Sequence, residues 1–196
     1  MREGLKRKID YSIDLLRKME KMALRMDAVD GFSLAFSGGK DSQALYHIAQ
    51  MEGVKFRARM NLTSVDPPDV IRFVKRNYPD VELIKPRMSI YDMALKKHIP
   101  PTRRFRWCCA EFKEAEGAGT VTLIGIRREE SVRRRIRNEI EVSSHEFSGD
   151  FDQWSEHEEQ MVTCVKGKDK ILVSPIIACK RLWSFYCMEM QGAAKF

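Results

Sequence analysis

One stretch constrains this chain more than any other: Ser37-Gly38-Gly39-Lys40-Asp41-Ser42. It follows the apolar run Phe32-Ser33-Leu34-Ala35-Phe36 and precedes a helical pattern of Ala44, Leu45, Ile48 and Ala49. Strand, tight turn and helix start in that order make a phosphate cradle. Glycine permits positive φ and close backbone approach. The first free N–H groups of a helix point at a bound anion, and the helix dipole favours its charge. Ser37 and Ser42 add hydroxyls, and Lys40 adds a point charge. The spacing is neither that of a Walker A loop nor that of Gly-x-Gly-x-x-Gly.

The rest of the chain reads as alternating helices and strands. Residues 5–27 carry Leu5, Ile9, Ile13, Leu16, Met19 and Ala23 near helical spacing, a helix that packs on the domain or pairs two copies. Strands are expected at 32–36, within 54–62, at 81–84, 120–126 and 171–173. Helices are expected after the loop up to Gly53, from Asp66-Pro67-Pro68 onward, over 90–97, around 110–115 and over 181–190. Residues 138–161 read as a long polar loop. Strands alternating with helices imply a parallel sheet with right-handed crossovers. Ligands then sit beyond the carboxyl ends of the strands.

Bulk properties narrow the class. The chain has 196 residues, 43% hydrophobic and 32% charged, which suits one globular domain. No apolar run approaches the roughly 18–20 residues that span a bilayer, and the charged N-terminal stretch has no signal-peptide core, so a cytoplasmic location is expected. Five cysteines in such a chain argue against a disulfide framework. The net charge of +7 is concentrated in Arg103-Arg104-Phe105-Arg106, Arg127-Arg128, Arg133-Arg134-Arg135 and Arg137. Such clusters meet a polyanionic nucleotide or nucleic acid, or form a solvated face.

The loop resembles the pyrophosphate (PP) loop of adenine-nucleotide α-hydrolases, and further segments resemble the phosphoadenosine phosphosulfate (PAPS) reductase family within that group. These are Asn61-Leu62-Thr63-Ser64-Val65-Asp66-Pro67-Pro68, with Tyr78-Pro79-Asp80-Val81; Arg106-Trp107-Cys108-Cys109, with Phe112-Lys113-Glu114; Gly125-Ile126-Arg127-Arg128-Glu129-Glu130-Ser131; and Val173-Ser174-Pro175-Ile176-Ile177. The resemblance implies a Rossmann-like, HUP-type three-layer α/β/α fold with a mainly parallel sheet. Residues 1–28 would form a helix packed on a single nucleotide-binding domain, 29–196, lacking the distal part of the family domain. It implies adenine against Asn61 and Thr63, room for nucleotide beside Gly125, and phosphate or sulfate on Arg127 and Arg128. Lys40 would neutralise the leaving group and Asp41 would position Mg²⁺.

Adjacent cysteines imply a [4Fe–4S] cluster in some members. Here no Cys-x-x-Cys occurs. Cys179 and Cys187 could join Cys108 and Cys109, because eight helical residues leave two side chains about 80° apart. Cys164 is a further candidate. Four thiolates suit an iron–sulfur cluster or zinc, and free thiols are the alternative. No Glu-Cys-Gly tail is present to attack a sulfonucleotide (PAPS or APS).

Three functions stay open. One is an ATP-cleaving, AMP-forming enzyme that adenylates an acceptor, in sulfur metabolism or thiolation, with a nucleic acid or sulfur carrier as partner. The second is a sulfonucleotide reductase-like oxidoreductase. The third is a non-catalytic nucleotide-binding accessory of a nucleic-acid complex.

Overall fold

A computed structural model describes residues 3–113, 117–142 and 170–179. Its first element is helix α1 (Glu3–Met26), followed by β1 (Phe32–Ala35), α2 (Lys40–Glu52), β2 (Phe56–Asn61), α3 (Pro68–Asn77) and β3 (Glu82–Ile84). Then come α4 (Ile90–Lys97), α5 (Trp107–Phe112), β4 (Val121–Ile124), a 3₁₀ turn at Arg128–Glu130, α6 (Val132–Arg135), β5 (Ile140–Val142) and β6 (Ile171–Val173).

Among the described residues the strands form one six-stranded sheet in the order β3-β2-β1-β4-β6-β5. All neighbours are parallel except β5, which runs antiparallel to β6. From β1 the chain steps outward through β2 to β3, then returns to the other side of β1 as β4. Strand order therefore reverses between β1 and β4, and in open α/β sheets a crevice opens at that reversal. The loop 37–42 leaves β1 there, and Gly125 to Arg127 leave β4 beside it.

Side chains alternate across a strand, so β1 sends Phe32 and Leu34 to one face and Ser33 and Ala35 to the other. The first face is dry. Phe32, Leu34, Val121, Leu123, Ile171 and Val173 are fully buried there. Helices α1 and α2 contact one another and both reach β4. The amphipathic pattern of α1 is the cause: Leu16, Met19 and Ala23 are inaccessible to solvent, and each large apolar side chain so buried contributes roughly 1.5–3 kcal/mol. Ser12, on the same buried stripe, satisfies its hydroxyl by donating to the Pro175 carbonyl at 2.8 Å.

The other face is polar. Arg57 and Arg59 of β2 both reach Asp30, at 2.9 and 3.0 Å, and both approach Glu82 of β3. Ser33 and Thr122 are buried on this face, and helix α4 buries none of its residues.

Besides shifts of one or two residues at the ends of α1, β1 and β3, three elements differ from the sequence reading. Residues 140–142, placed in a polar loop, form the edge strand β5. Three residues, Ile-Glu-Val, are too few for alternation to register, yet Ile140 is buried and Arg137 ties to Glu141. The helix expected at 110–115 is Trp107–Phe112 instead. The strand expected at 120–126 stops at Ile124, where the chain turns past α2. The expected helix 181–190, with Cys164 and Cys187, lies outside the described residues.

Candidate nucleotide site at the strand reversal

The loop is held by its own side chains. The Ser42 hydroxyl, buried, donates to the Gly39 carbonyl at 2.8 Å and accepts from the Ser37 N–H at 3.2 Å. The Ser37 hydroxyl lies 3.2 Å from it and accepts a long bond from the Gly39 N–H. Gly38 takes φ +71°, and a Cβ there would stand 3.0 Å from Val70 and 3.2 Å from Val74 of α3. Gly39 does not use the positive φ that glycine permits. At φ −76° it is extended and forms the N-cap of α2, which no side chain caps. The first-turn N–H groups of α2, at Lys40, Asp41 and Ser42, are the donors a helix leaves without intrahelical partners. Lys40 is exposed beside them.

A second layer supports the loop. Gln43 Nε2 donates to the Gly38 carbonyl at 2.7 Å. The Tyr78 hydroxyl donates to Gln43 Oε1 at 3.0 Å and lies 3.2 Å from His47 Nε2. Burial lowers the His47 pKa, so the neutral imidazole is the form this apolar surrounding favours. Phe36, Tyr46 and Phe73 pack their rings around Tyr78. Sequence reasoning missed Gln43 and Tyr78 as supports. Tyr78 was visible in a motif, but nothing in the spacing ties it to the loop.

Gly125 is required for a reason the sequence did not suggest. A Cβ there would lie 3.0–3.1 Å from the main chain of Asp41 and Ser42. The missing side chain lets the end of β4 pass close to the first turn of α2.

Arg127 also differs from its expected posture. Its side chain is only 9% exposed, and its Nε sits 3.0 Å from Asp41 Oδ1. The N–H is not aimed at that oxygen, so the contact is ionic and leaves Nε without an in-line hydrogen bond. Its Nη1 pairs with Glu129, and its main-chain N–H donates to Glu130 at 3.1 Å. Burial raises the Asp41 pKa, while the Arg127 charge works against that rise. The guanidinium is thus held between two carboxylates at the mouth of the reversal. Arg128 points elsewhere: it is half exposed and 3.9 Å from Glu139.

Asn61, at the end of β2, donates through Nδ2 to the Lys113 carbonyl at 3.3 Å. Its Oδ1 is buried without a donor. Thr63 is buried, and its N–H binds the Asp66 carboxylate. It lines a cleft of about 510 Å³ together with Arg103, Arg106, Cys108, Cys109 and Lys113.

The three described thiols do not all converge. Cys108 and Cys109 share that cleft beyond β2. Cys179 is buried beside Ser12 and Lys8 of α1, and burial raises its pKa. It follows β6, three strands from β2, a separation of roughly 14 Å at the usual strand spacing. Among the described residues no three His, Cys, Asp or Glu side chains gather into a metal site.

No protein-family model and no curated protein sequence matches this chain. Solved structures do resemble it. One is Candida glabrata FMN adenylyltransferase in complex with FMN and the ATP analogue AMPCPP, with a TM-score of 0.50 and 14% identity, covering 93% of this chain and 57% of that one. Another is the U34-tRNA thiolase NcsA from Methanococcus maripaludis with its [4Fe-4S] cluster, with a TM-score of 0.47 and 11% identity, covering 91% of this chain and 65% of that one. The sheet order and the likeness to the adenylyltransferase structure make the fold a Rossmann-like three-layer α/β architecture. This chain spans less than two thirds of either structure's length. No described helix is long and apolar enough to cross a membrane.

Proposed function

We propose that this chain binds ATP at the strand reversal and transfers its adenylyl group to an acceptor, as a PP-loop protein of the PAPS reductase type. The observation that carries this reading is the loop itself. Its Gly38 turn and the uncapped start of α2 lie at the carboxyl edge between β1 and β4. That is where a phosphate chain meets main-chain donors and a helix dipole.

In the reaction an acceptor nucleophile attacks the α-phosphorus. The bond from that phosphorus to the bridging oxygen of the β-phosphate breaks, and pyrophosphate leaves with the electron pair. Main-chain donors of Lys40 to Ser42 hold the leaving pyrophosphate, and the Lys40 side chain offsets its charge. Arg127, beside Asp41, is placed to take an α-phosphate oxygen when a carboxylate lets go. Asp41 is the carboxylate of the loop, and Mg²⁺ on a nucleotide needs only one or two protein carboxylates besides phosphate and water. The orphan Asn61 Oδ1 suits an exocyclic amino group such as that of adenine. A sulfonucleotide reduction draws less support, since the described residues bring only two thiols together.

The test is nucleotide affinity and product release. Lys40→Ala is expected to weaken ATP binding about 10- to 100-fold, the scale of one charge-assisted contact. The unaltered protein should release pyrophosphate and leave AMP covalently on the acceptor once the acceptor is supplied, with free AMP following only when a second nucleophile displaces it. Unchanged ATP affinity in the variant would remove the loop from the site.

A further inference from the structure

The segment between α4 and α5 is built differently from the loop. Residues Thr102 to Phe105 close into a turn: the Thr102 N–H donates to the Phe105 carbonyl at 3.1 Å, and the Phe105 N–H donates to the Thr102 hydroxyl at 3.0 Å. The turn is anchored on its far side. The Trp107 indole N–H donates to the Ile99 carbonyl at 3.2 Å, and Lys97 lies over the Trp107 ring.

This fixed turn holds a phenyl ring in water. Phe105 is 61% exposed. Around it stand Arg103, Arg104 and Arg106, all exposed. Arg103 and Arg106 also line the 510 Å³ cleft with Lys113, and no carboxylate lines that cleft. Among the described residues these four cations make no ion pair with any carboxylate.

Two requirements follow for whatever binds here. It must carry several negative charges, and it must offer a flat apolar face to an exposed ring carried on a hydrogen-bonded turn. A run of acidic side chains meets the first only. A duplex keeps its base faces stacked inside. A single strand presents phosphates and free base faces together. We propose that the turn 102–106 and the cleft it borders bind a single-stranded nucleic acid, with phosphates on Arg103, Arg104 and Arg106 and a base stacked on Phe105. As the acceptor of adenylyl transfer, this strand depends on the function proposed above; its binding does not.

The experiment is fluorescence anisotropy with labelled 12-nucleotide single strands of RNA and of DNA, a duplex of equal length, and polyglutamate. Phe105→Ala is expected to lower single-strand affinity about 5- to 100-fold, the range of one lost base–aromatic stack. The double variant Arg103→Ala/Arg104→Ala is expected to reduce the slope of log affinity against log salt by roughly 0.7 per arginine removed. Preference for one sugar identifies the source of the strand, and tight binding of either upholds the site. Three results would overturn it: no single-strand binding at low salt, equal binding of duplex with no effect of Phe105→Ala, or tighter binding of polyglutamate. Phe105→Ala should leave thermal melting and ATP affinity unchanged, since the ring touches neither core nor loop. Loss of ATP binding in Lys40→Ala with strand binding intact separates the two proposals.

Discussion

The two faces of the sheet differ in what they keep from water. On one, Phe32 and Leu34 of β1 are fully buried under α1 and α2. On the other, Ala35 of the same strand is exposed, and its neighbours on β2 are two arginines bridged to Asp30 and Glu82. Among the described residues cohesion is concentrated on the first face. The second is held by ion pairs that water and salt screen. A central strand can thus be firmly anchored from one side while its carboxyl end and other side stay available to polar ligands.

Substitutions on each face measure that contrast. Phe32→Ala is expected to cost about 3–5 kcal/mol of unfolding free energy, from lost burial plus a residual cavity, as read by denaturant melts. Gly125→Ala should come next. Its methyl would press on the Asp41 and Ser42 main chain at 3.0–3.1 Å, an overpacking cost of about 1–3 kcal/mol, with weaker ATP binding because α2 must move. Intact stability with only affinity lost would mean that clearance for a ligand, not contact with α2, demands the glycine. Arg59→Ala should cost least, below about 1 kcal/mol and less still in high salt. If it matched Phe32→Ala, the two faces would be equal partners and the contrast would collapse.

Much of this was legible beforehand. The apolar run 32–36, the glycine turn and the following helix appear where the residues put them, because each is a local pattern. Helix α4 matches its expected bounds because Ser89 caps it, accepting from the Asp92 N–H at 3.1 Å, and Pro100 follows its end. The site was legible as a set of positions rather than as a geometry. Arg127 was expected to face a phosphate, but its burial between Asp41 and Glu129 depends on two strand ends meeting. Gly125 was expected to clear a ligand, and its actual neighbour is main chain from a distant segment. Support of the loop by Gln43 and Tyr78 is likewise a product of packing, with no periodicity to announce it. Cys179 could be placed on a late segment, but not on the opposite flank of the sheet from Cys108.

Arg127 comes to the crevice with its counter-ions already seated. A buried guanidinium stripped of carboxylates would be costly, and Asp41 and Glu129 supply the neutralisation that Arg127 needs. Under the function proposed above, occupation of the crevice is an ion exchange. The interior keeps nearly the same charge before and after, and the exchange favours anions dense enough to outcompete a carboxylate. Pyrophosphate should displace what acetate cannot.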